Sequence, residues 1–174
     1  MIALLVDECL DVGINDICFV LSHGKESIRE YFRRDPALES LLASRGKENL
    51  LSDLKKYKNV RFHVVYQEEQ LGDGHAILQA KEWAHSPHTA ILFGDDLFVG
   101  AKTGLQQLIS AADVIPSEEW GIFFALENIP KKDTAKYGIV DIERTCAENP
   151  RLKKIKGLVE KPNPAVSPST LGIV

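Results

Sequence analysis

The feature that most constrains this chain is a set of short apolar runs spaced between longer amphipathic stretches. Asp16 to Leu21, with Ile-Cys-Phe-Val-Leu at its heart, and Val60 to Tyr66 read as strands. So do Thr89 to Phe93 and Gly121 to Leu126. The first of these is a continuous apolar run of the kind that suits a strand covered on both faces. Between them, Ile2, Leu5, Val6, Cys9 and Val12 recur at steps of three or four, which predicts a helix ending near Gly13. Ser22 is placed to cap a helix running to about Phe32, and Asp35-Pro36 to start another. Leu38, Leu41, Leu42, Leu50, Leu51 and Leu54 mark that second stretch, interrupted near Gly46. Asp73 to Ala84 and Leu105 to Ala111 complete the helices. Strands alternating with helices at this spacing predict an α/β domain with a largely parallel sheet.

Past Tyr137 the pattern changes. Ile139 to Ile142 and Ile155 to Val159 read as two strands joined through Asn149-Pro150. Pro162, Pro164 and Pro168 then make a loop before a last strand, Leu171 to Val174.

Charge and cysteine usage narrow the function. A net charge of −4 argues against a nucleic-acid partner, whose binding face is usually basic. No apolar run approaches the roughly 20 residues that span a bilayer, so no membrane association is expected. Cys9, Cys18 and Cys146 are odd in number and show no C-x-x-C spacing, which fits reduced thiols in the cytoplasm.

In open α/β sheets ligands gather beyond the carboxyl ends of the strands, and three segments fall there. In Gln67-Glu-Glu-Gln-Leu-Gly72-Asp-Gly74-His75 the glycines allow close approach of a flat ligand, and the Gln67 amide can pair with a base edge. The same segment also reads as a polar turn with Asp73 capping the next helix. Phe93-Gly94-Asp95-Asp96 offers a carboxylate suited to Mg²⁺, or a loop in which Asp bonds its own backbone. In Glu160-Lys161-Pro162 a Glu could accept from sugar hydroxyls and a Lys could meet a phosphate. Taken alone, the segment reads first as a charged strand end stopped by Pro. His23, His63, His85 and His88 have no metal-ligand or catalytic-triad spacing and read as surface or structural.

Taken in order, these segments resemble the nucleoside-diphosphate-sugar pyrophosphorylases, and within them the bacterial UTP–glucose-1-phosphate uridylyltransferases. The most specific match is Leu38-Glu39-x-x-Leu42-x-x-Arg45-Gly46-Lys47-x-x-Leu50-Leu51, similar to a helical segment of the uridylyl branch. It continues through Gln67…Leu71-Gly72-x-Gly74-His75, Asp95, Tyr137-Gly138 and Glu160-Lys161-Pro162. The resemblance implies a nucleotide-diphospho-sugar transferase fold, a Rossmann-like, mostly parallel mixed sheet flanked by helices. It implies the reaction of UTP with glucose 1-phosphate to give UDP-glucose and pyrophosphate, with Mg²⁺.

By position, Gln67 and Gly72 would hold the uracil and Asp95 the Mg²⁺. Gly138 and Glu160 would meet the glucose, and Lys161 its phosphate, as the catalytic cation. Asp73 stands where an apolar residue is commoner in that branch. The family also opens with a strand and a GxGTR loop that cradles the triphosphate, and no such loop occurs in these residues. Residues 1–174 are therefore expected to be part of a nucleotidyltransferase domain, inactive alone, with exposed strand edges that favour self-association or pairing with a missing half. The resemblance leaves two alternatives: a non-catalytic subunit that binds nucleotide sugar, regulates or oligomerises, and a thymidylyl- or cytidylyltransferase.

Overall fold

The computed structural model describes residues 1–116, 121–147 and 149–173. The chain divides into two compact units, Met1–Leu97 and Phe98–Val174.

The first unit opens with α1 (Ile2–Asp11), whose buried face carries Leu5, Val6, Glu8 and Cys9. It ends in a Schellman closure. Gly13 takes φ +82° and donates to the Leu10 carbonyl (3.0 Å), while the Ile14 N–H donates to Cys9 (2.9 Å). Strand β1 (Asp16–Leu21) follows and pairs in parallel with β2 (Arg61–Tyr66), from Asp16 opposite Arg61 to Leu21 opposite Tyr66.

Between the two strands lie α2 (Glu26–Phe32), α3 (Pro36–Ser44) and α4 (Glu48–Lys55). Phe32 at the end of α2 packs on Phe19 of β1 and Phe62 of β2, with ring centroids 5.3 and 4.8 Å away. This aromatic cluster joins the helices to the strand pair. Asp35 caps α3 as expected, accepting from the Leu38 N–H at 3.0 Å with Pro36 in the first turn. Gly46 at φ +64° separates α3 from α4, where the leucine pattern was interrupted. After β2 comes α5 (Asp73–Gln79).

Three expectations shift in this unit. Ser22 does not cap α2: the chain turns at Gly24 (φ +85°), and the helix begins only at Glu26, with Lys25 in the cap position and no side-chain cap bond. Helix α5 stops at Gln79 rather than Ala84, and the chain continues to Ala84 as turns. Thr89 to Phe93 forms no strand. A run becomes a strand only where a neighbour completes its ladder; none of the described residues does so here, and Ile91 is 51% exposed.

The second unit begins with α6 (Gly104–Ala112), held at its start by a capping box between Thr103 and Gln106. Its sheet has the order β3-β6-β4-β5, with β3 (Leu126–Asn128), β4 (Gly138–Thr145), β5 (Lys153–Glu160) and β6 (Leu171–Ile173). All its pairings are antiparallel. A 3₁₀ helix, Lys131–Lys136, leads into β4. Ile139 and Val140 are fully buried, each contributing about 1.5–3 kcal/mol of apolar burial.

The strand expected over Gly121 to Leu126 begins its ladder only at Leu126, and Ile122 is 80% exposed. The final strand forms from Leu171 to Ile173; Val174 lies outside the described residues. The fold is mixed α/β, as expected. Its parallel part is the β1–β2 pair, and its antiparallel part is the sheet of the second unit.

Candidate functional site

In the first unit, Gln67 sits directly beyond β2. Its backbone N–H donates to the Leu21 carbonyl at 2.8 Å, extending the β1–β2 ladder by one residue. Its side-chain Nε2 lies 3.1 Å from the Gly72 carbonyl and 3.0 Å from His75 Nδ1. The Gly72 carbonyl can only accept, so this contact orients the Gln67 amide with Nε2 toward the loop and leaves Oε1 as an acceptor, while the roles in the His75 contact follow from which ring nitrogen carries the proton.

Gly72 has φ +92° and ψ 179°, a conformation essentially restricted to glycine. Its carbonyl also accepts from the Ala76 N–H at 3.1 Å, which makes Gly72 the cap residue of α5. Asp73 therefore lies in the first helical turn and does not cap. There its charge is favoured by the helix dipole. The structure thus brings Gln67 and Gly72 together and adds His75, whose role the sequence pattern did not assign. The i, i+4 spacing of His75 and Gln79 was a usable signal: Gln79 Nε2 lies 3.1 Å from both His75 Nε2 and the His75 carbonyl.

Asp95 stands exposed in a turn closed by the Asp96 N–H on the Phe93 carbonyl at 3.3 Å. It does not follow a strand as expected, because residues 89–93 make no ladder. Asp96 is held above the usual carboxylate range by burial and then by the Asp95 charge. No group of three or more His, Cys, Asp or Glu among the described residues could cage a metal. The chemistry of this donor set nonetheless fits Mg²⁺, which typically takes one or two carboxylates and completes its shell with water and substrate phosphates. Two adjacent carboxylates, one raised by the other's charge, are an environment that a cation relieves.

In the second unit Gly138 opens β4 directly opposite Glu160, the last residue of β5. A Cβ at Gly138 would lie 3.2 Å from Glu160 Oε2 and 3.3 Å from Leu158 Cδ1, so the carboxylate rests over the glycine. Lys161 follows with φ +45°, unique among the described non-glycine residues in having a positive φ. Its N–H donates to the Tyr137 carbonyl at 3.0 Å, and its Nζ stands 3.3 Å from Glu160 Oε1. Sparsely populated backbone conformations of this kind cluster at ligand sites. Lys136, two residues before the glycine, is tied to Asp133 at 2.7 Å. Gly138, Glu160 and Lys161 therefore form one exposed group: a carboxylate and an ammonium at a strand end.

The first unit thus presents an oriented amide beyond β2 and an exposed acidic turn, and the second a carboxylate–ammonium pair at a strand end, all within a mixed α/β fold. The solved structures of similar fold bear on that class. A UDP-glucose pyrophosphorylase from Acinetobacter baumannii aligns with a TM-score of 0.81 at 30% identity, covering 98% of this chain and 59% of that one. A UTP-bound form from the same organism aligns equally well, covering 97% and 59%.

The chain belongs to the nucleotidyl transferase family, whose sequence profile matches residues 1–172. A UTP–glucose-1-phosphate uridylyltransferase of Bacillus subtilis is 32% identical over 99% of this chain and 56% of its own length. One from Komagataeibacter xylinus is 31% identical over 100% of this chain and 60% of its own. The chain thus spans between half and two thirds of the relatives it matches. No helix among the described residues is long and apolar enough to cross a membrane.

Proposed function

We propose that residues 1–174 carry the base-reading and sugar-phosphate-binding segments of a UTP–glucose-1-phosphate uridylyltransferase, as part of its nucleotidyltransferase domain. The observation that carries this reading is the fixed amide of Gln67. With Nε2 held by the Gly72 carbonyl, the amide keeps Oε1 as an acceptor for the base. A uracil ring offers its imide N–H to such an acceptor, whereas cytosine carries a bare acceptor nitrogen at that position. The Gly72 backbone, with its Gly-only conformation, closes the loop beneath the base.

Glu160 accepts from glucose hydroxyls, Gly138 leaves room for the sugar, and Lys161 meets the sugar's phosphate as a mobile cation. In the reaction an oxygen of glucose 1-phosphate attacks the α-phosphorus of UTP, and the bond to the terminal pyrophosphate breaks in line. Pyrophosphate leaves with the bonding electrons. Catalysis of this kind is positioning and charge neutralisation. Asp95 would hold Mg²⁺, which when bound neutralises phosphate charge. The reduced state of Cys9, Cys18 and Cys146 suits a cytoplasmic enzyme.

Titration calorimetry of the chain with UDP-glucose and with CDP-glucose, each with Mg²⁺, tests this reading. Binding of the uridine ligand alone, lost in Gln67→Ala and weakened in Lys161→Ala, is the expected result. Equal affinity for both bases would refute the role given to Gln67.

A further inference from the structure

The segment that presents Gln67 is clipped from both sides by one residue that no motif singled out. His23 lies in the turn after β1, and its ring stacks on Tyr66 with centroids 4.9 Å apart and planes within 7°. Its Nε2 lies 2.8 Å from Glu68 Oε2. Tyr66 and Glu68 are the immediate neighbours of Gln67. The ladder continues through the Gln67 N–H and the chain bends at Glu68, and His23 touches the side chains on both sides of Gln67 while the Gln67 amide turns to Gly72. One imidazole therefore grips the segment through two unlike contacts, a ring stack and a hydrogen bond.

The turn that carries His23 is itself pinned. Gly24 at φ +85° reverses the chain, and its N–H donates to Glu26 Oε1 at the start of α2, 3.1 Å away. Glu68 and Glu26 are the charged groups facing the imidazole.

We infer that His23 is a positioning residue for base recognition, fixing the backbone of Gln67 so that its amide stays directed at the ligand. The inference rests on the base-reading role proposed for Gln67. A single exposed contact of this sort is weak, since such ion pairs are commonly worth under about 1 kcal/mol. Its leverage comes from gripping the residues on both sides of the one that must not move. Preorganised polar groups lose affinity when their supporting contacts loosen.

The test uses the full 174-residue chain, ¹⁵N-labelled, with the side-chain NH₂ signals of Gln67 identified by their loss in Gln67→Ala. In His23→Ala those signals should move toward the free-amide position and exchange faster with water, while the backbone amides of residues 126–147 stay in place. His23→Gln, which can still reach Glu68, should restore them in part; His23→Phe, which keeps the stack but not the hydrogen bond, should fall between. Affinity for UDP should drop about threefold to fivefold in His23→Ala, the size expected for losing one exposed polar contact. Unchanged Gln67 NH₂ signals in a folded His23→Ala or His23→Phe protein would overturn the inference. If those signals respond as expected but Gln67→Ala binds UDP as tightly as the parent chain, the positioning stands and the base-reading role fails.

Discussion

Lys161 stores backbone strain at the place where a cation is wanted, and replacing it should reveal that strain as stability. A non-glycine residue in the left-handed region costs about 1–2 kcal/mol, and Lys161 has φ +45°. Lys161→Gly removes that cost but adds about 0.5–1 kcal/mol through the greater freedom of glycine in the unfolded chain. The ion pair with Glu160 offsets little, because both side chains are well exposed (62% and 67%) and the Nζ–Oε1 distance is 3.3 Å.

The net expectation is a gain of about 0.5–1 kcal/mol, which in a chain of this length raises the melting temperature by about 1–4 °C. Lys161→Ala is the control, since alanine keeps the strained φ and should show no gain. Both variants lose the ammonium, so both should bind UDP-glucose about tenfold more weakly, the scale of a hydrogen bond to a charged group. Circular dichroism melts of the three proteins, with calorimetric titration on the same samples, make the comparison. A glycine variant no more stable than the alanine variant would show that the backbone at 161 is not strained and would refute the argument.

Gly172→Ala should destabilise the second unit by about 1–3 kcal/mol, because the new Cβ would fall 2.6 Å from Cγ1 of the buried Ile129. A denaturant midpoint matching the parent would count against the close packing of β6 on that residue. Gly72→Ala meets no atom within 4 Å but must hold φ +92°, so it should cost about 1–3 kcal/mol and also weaken uridine binding. A melt that does not change would mean the loop relaxes freely.

At alkaline pH the fold should weaken. Burial, followed by the neighbouring Glu8 charge, raises the Cys9 thiol from 9.0 to about 11, and burial with the Asp7 contact raises Tyr57 as well. Both groups are held neutral by the fold; the Cys9 contribution is complete below pH 9 and is lost as pH climbs through about 11, and that of Tyr57 starts to be lost only above pH 10. Urea midpoints at pH 8 and pH 10.5, compared between the parent and Cys9→Ala, should show a smaller alkaline loss in the variant.

Local chemistry made much of this protein legible in its sequence. The helix stop at Gly13, the Asp35-Pro36 start and the break at Gly46 depend on φ preferences and cap bonds within a few residues. The β1 and β2 segments also stood out, one as a continuous run from Ile17 to Leu21 and the other as Val60, Phe62 and Val64 alternating with Arg61 and His63. The site segments were singled out by their ordered resemblance to a known family, because by residue type alone each also reads as a polar turn or a charged strand end.

Tertiary structure decided what depends on a partner distant in sequence. Thr89 to Phe93 has the composition of a strand, yet composition cannot supply the neighbouring backbone that a ladder requires. The same holds for Gly121 to Leu126, where only the last residue meets β6. The direction of the Gln67 amide arises from Gly72 and His75, five and eight residues away, and the grip of His23 spans 45. Propensities, caps and glycine conformations are written in neighbouring residues. Pairings, side-chain orientation and strain arise only when distant segments are brought within a few ångströms.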